Sequence, residues 1–80
     1  MSDITIVNNS TENIYVSVTA TGGDSGQGGS EKWYTLEANG GKDTWNYRSE
    51  NQVIRFTRSA TPGVLVETVL GVPGSTVNIS

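Results

Sequence analysis

Residues 13–21 alternate without a break, with Ile14, Val16, Val18 and Ala20 on one side and Tyr15, Ser17 and Thr19 on the other. A side-chain period of two belongs to an extended strand with one dry face and one wet face. This stretch therefore predicts a half-buried strand of an antiparallel sheet. The same preference runs through the chain: Val, Ile and Thr make up 24 of the 80 residues, whereas Leu and Ala together make up six. Side chains branched at Cβ are stiff and crowd a helix, but they pack well on a pleated surface. No segment carries the 3.6-residue apolar stripe of a helix, and none is predicted.

Turn chemistry cuts the rest into similar lengths. Strands are predicted over residues 3–8, 13–21, 52–58, 64–70 and 75–79, with Ile54 and Phe56 pointing inward, Arg55 outward, and Val77 and Ile79 inward. Two more, residues 33–36 and 45–47, are predicted as an aromatic-rich hairpin joined by Asn39-Gly40-Gly41, residues that supply the positive φ angles of tight connections. Pro62 and Pro73, each followed by glycine, preset φ for two further corners. Residues 22–30 hold five glycines in nine positions and read as either a mobile loop or a ligand-contacting one. Turn signals every 8–12 residues point to one domain, residues 1–80, folded as an all-β, compact antiparallel β-sandwich or small barrel of six to seven strands.

A chain of 80 residues buries only about 60–65% of its unfolded surface. With no cysteine and no histidine, it has neither a disulfide nor a structural zinc to reinforce a thin core. Association with further copies is the remaining common route, and the segment 64–70, apolar on both faces, reads as either a central strand or a subunit contact. A homo-oligomer is expected. The opening Met1-Ser2-Asp3-Ile4-Thr5 lacks the basic and apolar runs of a secretory signal, so the expected location is cytoplasmic, or outside after release without a signal peptide.

The absence of His and Cys excludes Ser-His and Cys-His nucleophile pairs, zincins and thiol chemistry. Six carboxylates, Asp24, Glu31, Glu37, Asp43, Glu50 and Glu67, are candidates for a glycosidase pair, but most fall in turns and a chain this small rarely encloses the necessary cleft. The expectation is a protein that is not an enzyme and uses no cofactor. A calcium site through Asp24 is conceivable, but the EF-hand spacing is missing, and no metal is expected. With a net charge of −3 and five scattered basic residues, the chain has no concentrated cationic surface for phosphates, so nucleic acid is not an expected partner.

The aromatic segment is the strongest candidate for a site. Trp33 and Thr35 face opposite to Tyr34 and Leu36, whereas Trp45 and Tyr47 share a face, so the four rings cannot all be buried on one side. Sugar C–H faces stack on indole and phenol rings, and sugar hydroxyls need planar polar partners. Trp33, Tyr34, Trp45 and Tyr47, with Asn39, Asp43, Asn46 and Arg48 among them, supply that mixture. The opposite reading is that Trp33 and Trp45 fill the core. A third places the exposed rings at a bilayer interface.

The run Ile4-Thr5-Ile6-Val7-Asn8-Asn9-Ser10, then Ile14-Tyr15-Val16-Ser17-Val18, the glycine-rich break and the Trp33-to-Trp45 segment together resemble small signal-less β-sandwich proteins of fungal fruiting bodies, comprising soluble lectins and the aegerolysin-like and actinoporin-like cytolysins. The resemblance covers roughly the first half of the chain, which is shorter than those cytolysins and has no recognisable pore-forming helix. It implies a cytosolic defence protein that recognises glycans or membrane lipids. Together with the aromatic argument, the expected function is non-enzymatic, lectin-like carbohydrate binding made multivalent by oligomerisation. The alternatives are a lipid-binding, cytolysin-like protein and a structural interaction module.

Overall fold

The computed structural model describes residues 3–26 and 28–80, except for the side chains of Asp24 and Ser25. The chain runs β1 (Asp3–Asn8), β2 (Ile14–Val18), a single helical turn α1 (Gly23–Gly26), β3 (Tyr34–Leu36), β4 (Gly41–Asn46), β5 (Gln52–Thr57), β6 (Glu67–Gly71) and β7 (Thr76–Ile79). Two sheets pack face to face, one ordered β4-β1-β7 and the other β3-β2-β5-β6. The all-β sandwich expected from the alternation is the fold. Ile4, Ile6, Trp45 and Ile79 from the three-stranded sheet meet Ile14, Val16, Val18, Leu36, Ile54 and Phe56 from the four-stranded one. Among the described residues, no helix is long and apolar enough to cross a membrane.

Several sequence expectations change in detail. Residues 33–36 and 45–47 do not form a hairpin: β3 pairs with β2 and β4 pairs with β1, so the aromatic strands belong to different sheets. The intervening segment acts as a crossover because both Asn39 and Gly40 have positive φ and their N–H groups donate to Ser10 O (2.9 Å) and Asn8 O (2.7 Å), which lie on the path from β1 to β2. Gly41 completes the crossing, since a Cβ there would sit 2.4 Å from the Glu37 carbonyl oxygen. The sheets are also not wholly antiparallel, because β7 lies parallel to β1.

The β1/β7 pairing follows from the turn before β7. Val72-Pro73-Gly74-Ser75 closes with Ser75 N–H donating to Val72 O at 3.1 Å, and Gly74 holds φ +83°, a type II corner. Gly74 N–H then donates to Asp3 O and Thr5 N–H to Ser75 O, which sets the last strand beside the first in the same direction. The strand predicted over 64–70 starts later and runs one residue further, as β6 (Glu67–Gly71), and it lies at an edge and not in the centre. Val64 instead closes a second proline-glycine corner on Thr61 O.

Asn8 holds the meeting point of the two sheets. It is fully buried on the core face of β1, and its Nδ2 lies 2.8, 3.0 and 3.1 Å from the carbonyl oxygens of Glu12, Leu36 and Glu37. Its Oδ1 accepts from Ser10 N–H (3.0 Å) and Ser10 Oγ (2.6 Å). Asn8→Ala would leave the buried Leu36 carbonyl and the part-buried Glu12 and Glu37 carbonyls without this donor, and a buried group left unpaired costs about 1–3 kcal/mol. Urea unfolding is expected to show a loss of about 3 kcal/mol, whereas a loss below about 0.5 kcal/mol, typical of a surface position, would contradict this role.

Candidate functional site

The two sheets leave an open seam where the edge strands β3 and β4 run past each other. Tyr34 of β3 meets Trp45 of β4 across it, ring centroids 6.1 Å apart and planes at 76°, the edge-to-face geometry that aromatic quadrupoles prefer. Trp45 is only 6% exposed and opposes Ile4 in the strand pairing, so it belongs to the core and forms the inner wall of the seam. Tyr34 remains 41% exposed. Beside them is a cleft of about 270 Å³ whose rim carries Asp43, Thr44 and Asn46.

Tyr47 forms the other side of this cleft. It follows the last residue of β4 and has φ +61°, a left-handed conformation that costs a non-glycine residue about 1–3 kcal/mol. This reversal ends the strand alternation that would have placed Tyr47 on the buried face with Trp45. The ring is instead 52% exposed, and a Cβ on Gly28 would lie 3.9 Å from it. The glycine-rich segment thus borders the cleft through Gly28 and Ser30. It is anchored at its start by α1, where Gly23 N–H donates to Glu50 Oε2 at 3.0 Å. Gln27 and the side chain of Asp24, named above as a calcium candidate, lie outside the described residues.

Arg48 lies beneath the cleft and is 1% exposed. Its Nη1 donates to Asn46 O (2.6 Å), and its Nη2 donates to Val18 O (3.1 Å) and Ser30 O (2.5 Å). One guanidinium therefore joins the end of β4, the end of β2 and the segment entering β3, because its planar fork reaches several acceptors at once.

Of the eight site candidates, the structure gathers Tyr34, Asp43, Trp45, Asn46, Tyr47 and Arg48 at this cleft and places two elsewhere. Asn39 sits in the crossover. Trp33, 49% exposed, faces the opposite way from Tyr34, on the outer surface of the four-stranded sheet, with the Arg55 guanidinium carbon 5.6 Å from its ring centroid. Arg55 is held there by Ser17 Oγ at 2.6 Å and Glu31 at 3.8 Å. Trp33 lines a second, mostly apolar concavity of about 280 Å³ with Tyr15, Val64 and Val66.

Three cleft residues lie outside the eight candidates: Thr44, and Gly28 and Ser30 of the glycine-rich segment 22–30, one reading of which is a ligand-contacting loop. Thr44 was legible as the residue between Asp43 and Trp45, but no local signal brings Gly28 and Ser30 to β4. Of the six carboxylates considered for a glycosidase pair, Asp43 alone lines the cleft among the described residues. Glu31 and Glu67 are engaged with Arg55 and Arg58. No group of three or more metal-ligating side chains converges among the described residues.

The two tryptophans should respond very differently to truncation. Trp45→Ala is expected to cost about 3–5 kcal/mol in urea unfolding, as for a large core aromatic, and Trp33→Ala about 0.5–1 kcal/mol, the worth of an exposed cation–π contact. Equal losses would contradict the assignment of one ring to the core and the other to the surface. No family model, no curated protein and no solved structure matches this chain.

Proposed function

We propose that the protein is a non-enzymatic carbohydrate-binding module whose site is the seam cleft between β3 and β4. The observation that carries this reading is the pairing of two half-exposed phenol rings, Tyr34 and Tyr47, with a rim of Asp43, Thr44 and Asn46. A sugar ring set against Tyr47 has an apolar face to stack on and hydroxyls to exchange with a carboxylate, a hydroxyl and a carboxamide. Trp45 and Arg48 shape the cleft from within and do not contact the ligand by exposed surface. A cleft this open takes one or two sugar residues weakly, so useful avidity requires several clefts on one assembly.

Tyr47 supports the reading for a second reason. Glycine adopts its backbone conformation at no steric cost, so the aromatic residue holds a strained position at the cleft. Strain of this kind concentrates at ligand sites.

A second reading, binding to membrane lipid, is favoured by one observation on the opposite surface: exposed Trp33 lies beside Val64 and Val66 in the apolar concavity, and neighbouring Leu65 is 77% exposed. Amphipathic rings next to aliphatic side chains suit a bilayer interface.

Glycan-array binding and tryptophan fluorescence with neutral lipid vesicles separate the two readings. Tyr47→Gly is expected to abolish array binding without lowering the melting temperature, and Trp33→Ala to leave array binding intact. Array binding that survives Tyr47→Gly and is lost with Trp33→Ala would move the site to the outer surface. A vesicle response with no array signal would replace the carbohydrate reading with the lipid one.

A further inference from the structure

Natural sheets protect their edges with short strands, charges, proline or a covering segment. Three of the four edges here follow that rule: β3 has only three residues, β4 carries Lys42 and Asp43, and β7 has four residues tied through Asn78 to Asn9. The edge formed by β6 does not. Its only charge, Glu67, is engaged by Arg58, with Nε to Oε2 at 2.7 Å. Val69 and Leu70 are exposed, as are Val53 beside Leu70, Val66 before the strand and Val72 after it.

The direction of the free backbone groups follows from the neighbouring strand. Val53 C=O accepts from Thr19 N–H at 3.0 Å and Val53 N–H donates to Thr19 Oγ1 at 2.9 Å, so both groups of Val53 face β2. Alternation then turns those of Gln52, Ile54 and Phe56 toward β6, where they meet Gly71, Val69 and Glu67. The N–H and C=O groups of Thr68 and Leu70 consequently point away from the sheet.

We propose that this edge pairs with the same edge of a second copy, antiparallel about a two-fold axis at Val69, so that two four-stranded sheets become one of eight strands. In this register Thr68 of each copy opposes Leu70 of the other, and these two residues on both chains exchange four backbone hydrogen bonds. Val69 meets its own copy at a non-hydrogen-bonded position, where facing side chains come closest. Glu67 opposes Gly71, which has no side chain, so the Glu67–Arg58 pair is left room and the two carboxylates do not face each other. Registers centred on Thr68 or Leu70 lose this match: the first sets Glu67 against Val69, and the second leaves Thr68 pairing beyond the strand with Val72. The occupant is a second copy because this register satisfies the polar groups of both edges and covers the exposed Val69 and Leu70 together.

This pairing is independent of the carbohydrate reading, since a silent glycan array leaves it standing and a monomer leaves the cleft intact. Sedimentation velocity at micromolar concentration is expected to show a dimer. Thr68→Pro removes an outward N–H that the folded chain does not use and should weaken association at least tenfold while the circular dichroism spectrum remains β-rich. Leu70→Lys should do the same if the proline variant fails to fold. In this cysteine-free chain, Val69→Cys should cross-link to its own copy under mild oxidation, because facing Cα atoms about 4.5 Å apart at such a site fall within disulfide range. Val72→Cys should not cross-link. A wild-type monomer at about 100 µM, where a dimer with a Kd of about 1 µM is mostly associated, would overturn the proposal, as would a dimer indifferent to both Thr68→Pro and Leu70→Lys or a Val69→Cys dimer that does not cross-link.

Discussion

The carboxamide of Asn8 lies where three strands change direction, and the rest of the fold depends on how it is satisfied. Its nitrogen serves carbonyls at the entry to β2 and the exit of β3, while its oxygen accepts from Ser10. The Asn8 main-chain carbonyl receives the crossover through Gly40 N–H. Backbone polar groups in a dry interior must be paired, and here one side chain supplies partners for an irregular stretch that no strand could pair. With the end of β3 held in this way, the next residues step to the opposite sheet instead of folding back.

This sheet change creates the cleft. Had β3 and β4 formed a hairpin, Tyr34 and Trp45 would share a sheet and their polar neighbours would lie on a continuous surface. Placed in different sheets, the two strands face each other across the open side of the sandwich, and the gap between them becomes a concavity with Trp45 as its inner wall. Arg48 stabilises this arrangement from below. A guanidinium at 1% exposure must be hydrogen-bonded, and two of the carbonyls it reaches, those of Asn46 and Ser30, belong to residues that line the cleft.

The small size of the chain explains why its apolar surface is distributed so unevenly. The core uses one face of each sheet and leaves Val53, Leu70 and Val72 outside it. In a chain without cysteine, exposed aliphatic residues beside the uncapped edge of β6 are the surface that the proposed pairing would cover. The outer surface around Trp33 is a separate feature, stabilised within the monomer by the Arg55, Ser17 and Glu31 network.

The fold class, the faces of β2 and β5 and both proline-glycine corners were legible in the sequence, because these depend on side-chain period and on backbone angles set within a few residues. Also legible was that Trp33 and Tyr34, as neighbours in an extended segment, point to opposite sides. The partner of each strand, in contrast, depends on long-range pairing. The segment Asn39-Gly40-Gly41 is equally compatible with a hairpin and with a crossover, and the choice rests on hydrogen bonds to Asn8 and Ser10, about 30 residues earlier in the chain. The same holds for the site: Tyr47 leaves the face predicted by alternation through its positive φ, Arg48 moves from a possible ligand contact to a buried brace, and Gly28 and Ser30 reach the cleft through long-range packing. Local pattern carries none of these outcomes, because each depends on which distant backbone groups remain to be satisfied once the sheets have formed.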